Sequence, residues 1–207
     1  MSYKDFSIDD LKRDLGLHLE EDVSLYDQIA EVAPSPALAE QLHEHTALAV
    51  GIDTEKARSE MIIAPVLLEV WRRYKKRIGL FSGRELNVDP ARGLVGVCDF
   101  LLSLSPERLT VTAPILILCE AKNLDVIAGI PQCMAEMVAA QAFNEKRGLS
   151  LPAIHGVVST GTNWRFLRLD GKTAWIDTTE YYLRDVGRIL GVLCHAVEEA
   201  AAVAVAA

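Results

Sequence analysis

The sequence predicts an α/β (α+β) domain in which helices flank a central sheet, and three observations support this prediction. Two apolar stretches, Leu94 to Cys98 and Ile115 to Cys119, are unbroken, as in strands that are buried on both faces. Turn signals such as Asp89-Pro90 separate the stretches that resemble strands. Helical patterns precede and follow these stretches.

The N-terminal segment, residues 1–57, is polar and mostly helical in pattern, so it is predicted to be a helical extension of the domain. Within it, Ser35 is suited to cap a helix that spans SPALAEQLHEHTALAV. A second helix is predicted from Ser59 to about Lys76, and basic residues gather in its last turn, where the helix dipole favours cations.

The predicted core, residues 58–200, continues with three strands, a long helix, two more strands and a final helix. Short connections between the first three strands favour an antiparallel meander. These elements are expected at about 80–88, 93–103, 113–121, 125–146, 153–159, 164–169 and 179–199. Residues 201–207 form a tail of Ala and Val that carries little information.

Composition limits the classes of function. The chain has 207 residues, 50% of them hydrophobic, and a formal net charge of −8, which fits one globular domain overall. No apolar run approaches the roughly 18 residues of a membrane helix, and the N-terminus lacks a signal-peptide pattern, so we expect a soluble cytoplasmic protein without membrane contact. Because non-specific affinity for nucleic acids comes largely from Lys and Arg, any nucleic-acid contact is expected to be local.

The four cysteines are widely spaced and form no CxxC pair. This pattern favours neither a zinc ribbon nor a disulfide framework. We interpret Cys98, Cys119, Cys133 and Cys194 as small residues of the core.

Charged residues close both apolar stretches. Asp99 follows the first, and Glu120, Ala121 and Lys122 follow or end the second. Since side chains alternate along a strand, Glu120 and Lys122 are predicted to project to one side, while Ala121 points the other way and leaves its carbonyl accessible. The sequence therefore predicts an acid beside a base, with a second acid within reach.

This order of elements, with Asp99 on the second strand and the EAK triplet on the third, resembles the PD-(D/E)XK nuclease superfamily from about Ser59 to Leu169. The segment CEAKNLDVIAGIPQCMAEMVAAQAFN also resembles a set of uncharacterised bacterial proteins in that superfamily. The resemblance implies a restriction-endonuclease-like core with a central mixed sheet of four to five strands flanked by helices. The matching residues are Glu60, Asp99, Glu120, Lys122 and Gln132.

The resemblance implies a hydrolase that cleaves phosphodiester bonds of DNA, in preference to RNA, as an endo- or exonuclease. Asp99 and Glu120, helped by the Ala121 carbonyl, would supply the hard oxygen ligands that Mg²⁺ or Mn²⁺ prefers. Glu60 would extend the metal or water network. The products would carry a 5′ phosphate.

Two further residues have implied roles beside the metal. Lys122 would orient or deprotonate the attacking water, or stabilise negative charge that develops on the phosphorane. Gln132 would position the phosphate or the Lys122 side chain. Pro131, next to Gln132, is tolerable only if it lies in the first turn of its helix.

Each candidate also has a structural interpretation. For Asp99, Glu120 and Lys122, this interpretation is a structural ion pair at the sheet edge. The ExK triplet alone is a weak motif, because it often arises by chance. Glu60 is then an acid favoured near a helix N-terminus, and Gln132 a polar residue at the edge of a ridge of alanines. Trp164, Arg165 and Arg168 contact bases or phosphate, or they serve only packing and a solvated strand edge.

Two other functions stay open on the sequence. One is a non-catalytic scaffold of the same fold that binds a protein or a nucleic acid as an interaction module. The other is a subunit of a larger complex, in which the N-terminal helices dock a partner or form a homodimer.

Overall fold

A computed structural model describes the chain from residue 1 to residue 206, with side chains described up to Val203. Within these residues, eight strands form one mixed sheet that helices cover on both faces, which confirms the predicted α/β class. The helices are α1 (Ile8–Asp14), α2 (Pro36–Ile52), α3 (Glu55–Arg58), α4 (Ala64–Tyr74), α5 (Ile130–Glu145) and α6 (Val186–Ala206). The strands are β1 (His18–Val23), β2 (Gly79–Glu85), β3 (Val97–Ser103), β4 (Ile115–Ala121), β5 (Ile154–Ser159), β6 (Asn163–Asp170), β7 (Thr173–Asp177) and β8 (Tyr181–Tyr182).

The strands lie in the order β1-β7-β6-β5-β4-β3-β2, and β8 pairs with β6. β2, β3 and β4 form the predicted antiparallel meander. β4 and β5 are parallel, and α5 connects them across one face of the sheet, as parallel neighbours require. β4 therefore lies near the centre of the sheet, with a partner strand on each side.

Two hydrophobic clusters fill the spaces between the sheet and its helices. One cluster joins α2, α4 and α6 to one face of the sheet, and the other joins α1 and α5 to the opposite face. All seven residues of β4 are buried between the two clusters, which explains its unbroken apolar sequence. The four cysteines are free and buried, as the sequence predicts.

The sheet has more strands than the four to five that the sequence predicts. Most of the difference lies at the edge where β1 pairs with β7. β1 contains three successive acids, Glu20, Glu21 and Asp22, so it lacks the apolar alternation that indicates a strand, and backbone pairing holds it in the sheet. The segment 1–57, expected to be helical, thus adds a strand to the sheet in addition to helices.

The helix predicted from Ser59 to about Lys76 is present and ends at Tyr74, but its first turn is irregular. A π-helical turn, Ser59–Ile63, joins α3 directly to α4, and Pro65 lies in the first turn of α4. Proline has no N–H to donate and its ring crowds the carbonyl four residues earlier, here that of Met61. The wider turn accommodates this crowding, and it carries Glu60.

The last predicted helix begins later than expected, because Tyr181–Tyr182 pairs with β6 before α6 starts at Val186. α6 continues to Ala206, so the backbone of most of the predicted tail, 201–207, is helical. The rest of the tail, Ala207 and the side chains from 204 onwards, lies outside the described residues. No helix of the described chain is long and apolar enough to cross a membrane.

Candidate functional site

β3 and β4 stop pairing at the end of the sheet where Asp99 lies. Phe100 and Cys119 are the last partners toward this end. Beyond them, Asp99 Oδ2 accepts a hydrogen bond from the backbone N–H of Ala121 at 2.8 Å. The carboxylate of Asp99 thus links β3 to β4 beyond the last backbone pair.

Glu120 and Lys122 form the predicted acid–base pair on β4 and just beyond it. Lys122 Nζ donates to Glu120 Oε1 at 2.5 Å. The side chain of Glu120 is 3% exposed and that of Lys122 is 21% exposed, so the pair reaches solvent through the lysine. The backbone N–H of Lys122 donates to Ser159 O of β5 at 2.8 Å and anchors this end of the strand.

When both are ionised, Asp99 and Glu120 carry two negative charges, and Lys122 supplies one positive charge to balance them. Burial and the nearby Asp99 raise the pKa of Glu120 to about 7, although Lys122 opposes this rise. Burial disfavours the charged form of Lys122, but the hydrogen bond and the charge of Glu120 outweigh burial and raise the pKa of Lys122. Glu120 Oε2 is buried without a hydrogen-bond partner among the described residues. Such an oxygen is costly unless a donor or a cation reaches it.

α5 brings Gln132 to this pair. Lys122 Nζ donates to Gln132 Oε1 at 3.3 Å, and Gln132 Nε2 donates to Glu136 Oε1 at 3.2 Å. Pro131 lies in the first turn of α5, the position where the sequence requires it. Sequence reasoning missed Glu136, although its spacing of four from Gln132 was an available signal.

Gly129, just before α5, makes room for Lys122. A Cβ at this position would lie 2.5 Å from Val158 Cγ1 and 3.0 Å from Lys122 Cγ. Cβ atoms essentially never approach another atom to 2.5 Å, and 3.0 Å is closer than most Cβ contacts, so glycine leaves room for Val158 and for the lysine stem. No local pattern in the sequence indicates this role, because the contact depends on how α5 packs against β4 and β5.

A cleft of about 290 Å³ opens beside Asp99 and contains Glu60 in its wall. Glu60 is 59% exposed and pairs with Lys56 Nζ at 2.8 Å. The structure therefore brings Glu60 into the same cleft as Asp99 and Ala121, while its direct partner is a lysine. The cleft is lined by Glu55, Lys56, Ser59, Glu60, Ala64, Ser82, Gly83, Asp99, Phe100 and Ala121.

The chain matches no protein-family model, and no curated protein matches it. The superfamily resemblance of the sequence therefore stays a hypothesis.

Among the described residues, no group of three His, Cys, Asp or Glu side chains is arranged to hold a metal ion. Asp99 and Glu120 nevertheless supply two carboxylates near each other, and the second oxygen of Glu120 lacks a partner. Mg²⁺ binds through one or two carboxylates and retains several waters. This donor set fits Mg²⁺ or Mn²⁺ with water as further ligands.

Residues of β6 that the sequence left open between nucleic-acid contact and packing have structural partners. Trp164 is fully buried, and its indole N–H donates to Gly161 O at 2.8 Å. Arg165 donates to Asp177 O at 2.9 Å and pairs with Glu180 at the same distance. These contacts support the packing interpretation.

Arg168 belongs to a network that the sequence did not reveal. Both of its terminal nitrogens donate to Glu199 at 2.9 Å. The same carboxylate lies 2.8 Å from His155 Nε2, and Tyr26 O–H lies 2.9 Å from His155 Nδ1. This network joins α6 to β5 and β6 of the sheet, and neither Asp99 nor Glu120 belongs to it.

Proposed function

We propose that this protein is a metal-dependent nuclease with a restriction-endonuclease-like core, which hydrolyses phosphodiester bonds of DNA in preference to RNA. One observation carries the proposal. Asp99 and Glu120 lie where β3 and β4 cease to pair, Lys122 contacts Glu120 at 2.5 Å, and the second Glu120 oxygen is buried without a partner among the described residues. The site thus holds two carboxylates and one lysine, and it needs further positive charge when both carboxylates are ionised.

The need for positive charge supports a divalent cation. Asp99 and Glu120 would hold Mg²⁺ or Mn²⁺, together with the carbonyl of Ala121, since hard cations prefer oxygen ligands. When bound, such an ion polarises a phosphate and lowers the pKa of a coordinated water. The raised pKa of Glu120 fits this arrangement, because burial and Asp99 disfavour two negative charges at this position without a cation.

Lys122 has two candidate roles, and its environment favours one of them. The raised pKa of Lys122 keeps its ammonium protonated near neutral pH. A protonated lysine is unsuited to remove a proton from water, but it stabilises negative charge that develops on a phosphate under attack. The hydrogen bonds to Glu120 and Gln132 hold the ammonium in place for this purpose.

Glu60 would take part from the wall of the cleft that it lines together with Asp99. Its carboxylate is exposed and paired with Lys56, so it is available to water in the cleft. In this role it organises water near Asp99, and Lys56 offers a positive charge to a phosphate that enters the cleft.

The proposal is tested by cleavage of labelled single-stranded DNA, duplex DNA and RNA in the presence of Mn²⁺ or Mg²⁺. Wild type is compared with Lys122→Ala and with Lys76→Ala, all purified in parallel. Lys76 is a matched control because it is an exposed lysine just before β2, whereas the cleft lies beside Ser82 and Gly83 farther along that strand.

We expect metal-dependent cutting of at least one polymer by wild type and Lys76→Ala, and a loss of about 100-fold or more in Lys122→Ala. Equal cutting by all three proteins would reveal a contaminating nuclease and would count against the proposal. Equal inactivity on every polymer would reject it in favour of a binding module.

A further inference from the structure

Glu136 is an acid in the middle of α5 with no exposed surface. It lies between apolar residues of the helix that are buried as well, among them Ala135 and Met137. One of its oxygens accepts from Gln132 Nε2 at 3.2 Å, and the other has no partner among the residues described. A buried carboxyl group with so few contacts lowers folding stability. The hydrogen bond from Gln132 is the side-chain contact that Glu136 makes among the residues described.

The amide of Gln132 has two different ends, and each end has its own partner. Oε1 accepts from Lys122 Nζ at 3.3 Å, while Nε2 faces Glu136. If the amide turned over, its NH₂ group would face the ammonium of Lys122, and a donor would meet a donor. Glu136 lies one helical turn from Gln132, the spacing at which side chains on one helix contact each other.

We propose that Glu136 is a positioning residue for Lys122: it accepts from the amide N–H of Gln132, and so turns the amide oxygen toward the lysine ammonium. The chain of contacts runs from Glu136 through Gln132 to Lys122, and Lys122 also donates to Glu120. Glu136 does not touch the substrate in this arrangement. It acts by holding the ammonium between two acceptors.

The inference rests on the proposed nuclease function, because Lys122 matters most if it stabilises charge at a phosphate. Small displacements of a catalytic group reduce rates by as much as about 100-fold. If Lys122 retains its contact with Glu120 but loses its contact with the Gln132 oxygen, it should still stabilise part of the charge that develops on the phosphate. We therefore expect a smaller loss from changes at Glu136 than from Lys122→Ala.

Two substitutions at Glu136 separate positioning from simple packing. Glu136→Leu fills a similar volume but has no acceptor, whereas Glu136→Gln keeps an oxygen that can accept from Gln132. We expect kcat to fall about 10- to 100-fold in Glu136→Leu with KM unchanged, and to stay within about threefold of wild type in Glu136→Gln. Wild-type kcat in Glu136→Leu would overturn the inference.

A double-mutant cycle tests whether the two residues of α5 act through one another. Gln132→Leu removes the intermediate contact, so Glu136→Leu should cause no further loss in that background. If the two losses multiply, Glu136 acts independently of Gln132 and the inference is wrong. Melting temperatures of all variants show whether each protein is folded under the assay conditions.

A second readout needs no nuclease activity. In protein labelled with ¹⁵N-glutamine, the side-chain NH₂ signals of Gln132 are assigned by their loss in Gln132→Leu. These protons should exchange slowly with solvent in wild type and Glu136→Gln, and faster in Glu136→Leu. Unchanged exchange in Glu136→Leu would refute the positioning role. If no variant cuts any polymer, the proposed function fails, and the amide signals still decide the role of Glu136.

Discussion

The backbone N–H of Ala121 donates to the carboxylate of Asp99, at the point where β3 and β4 cease to pair. Asp99 thus accepts a hydrogen bond from a strand amide and, in the proposed function, also supplies an oxygen to a cation. A substitution at Asp99 can remove the hydrogen bond, the metal ligand or both. Different replacements therefore distinguish the structural role of Asp99 from its role in metal binding.

Asp99→Asn should keep the hydrogen bond from Ala121, because an amide oxygen also accepts, and should lose the negative charge. We expect its melting temperature without metal to stay close to that of wild type. Mn²⁺ at about 100 times its dissociation constant should stabilise wild type by about 2.7 kcal/mol, and Asp99→Asn much less. Thermal denaturation with and without Mn²⁺ measures this difference, with Asp99→Ala expected to be less stable even without metal. An equal Mn²⁺ effect in wild type and Asp99→Asn would argue that Asp99 is no ligand.

Glu60→Gln should leave stability nearly unchanged and should alter the metal dependence of cleavage. The Lys56–Glu60 pair is exposed, and such pairs contribute about 0–1 kcal/mol. If Glu60 organises water in the cleft, the variant should require more Mn²⁺ for half-maximal cleavage. A Mn²⁺ titration of the cleavage rate decides this, and a curve that superimposes on that of wild type would assign Glu60 to the surface pair alone.

Gly129→Ala should destabilise the protein and disturb Lys122. The added Cβ would lie 2.5 Å from Val158 Cγ1 and 3.0 Å from Lys122 Cγ, so neighbouring atoms must shift. Overpacking of this kind costs about 1–3 kcal/mol. Denaturant unfolding measures the cost, and the cleavage assay should show reduced activity in the fraction that is folded.

Gly51→Ala is the control for Gly129→Ala. Gly51 lies in α2, and an added Cβ meets nothing within 4 Å. Alanine in an exposed helical position stabilises by up to about 1 kcal/mol relative to glycine. If both variants behaved alike, the space that Gly129 leaves for Lys122 would have no importance.

The ionised carboxylate of Glu199 should stabilise the folded protein, and this stabilisation should be lost at acidic pH. The hydrogen bond from His155 and the contacts with Arg168 hold the pKa of Glu199 at about 2, below its ordinary value of 4.5. Because the unfolded chain then binds more protons in this range, the stabilisation is complete above pH 4.5 and is lost as the pH falls toward 2.

The measurement is the free energy of unfolding in urea for wild type and Glu199→Gln between pH 7 and pH 2.5. The difference between the two proteins should be largest at pH 7 and should shrink below about pH 4.5. Glu40→Gln, at an exposed acid of α2, should follow wild type throughout. Parallel curves for wild type and Glu199→Gln would show that the network does not favour the ionised carboxylate.

The parts of the fold that local pattern determines were predictable from the sequence. β4 is buried on both faces, so its apolar run identified it, and side-chain alternation placed Glu120 and Lys122 on one side. Ser35 caps α2 as its position suggests, with its hydroxyl accepting from Leu38 N–H at 3.2 Å. In each case the prediction depends only on residues close in sequence or on the side-chain alternation of a single strand.

The parts that depend on distant contacts were not predictable. β1 is largely acidic and joins the sheet through backbone pairing with β7, a contact distant in sequence. Glu60 lies on a π-helical turn next to Pro65, and the helical pattern of the sequence does not show this irregular turn. Glu136 and Gly129 acquire their importance from the packing of α5 against β4 and β5, which no local pattern reveals.

The most direct test of the metal-dependent nuclease is the single-turnover rate of cleavage by Glu120→Gln, with Glu145→Gln as a control at an exposed acid of α5. Glutamine matches the shape of the buried side chain and removes its charge. With Mg²⁺, we expect Glu120→Gln to cut the preferred polymer at least about 100-fold more slowly than wild type, and Glu145→Gln to cut at the wild-type rate. If Glu120→Gln cut at the wild-type rate, Glu120 would not hold a catalytic metal and the proposed nuclease site would be wrong.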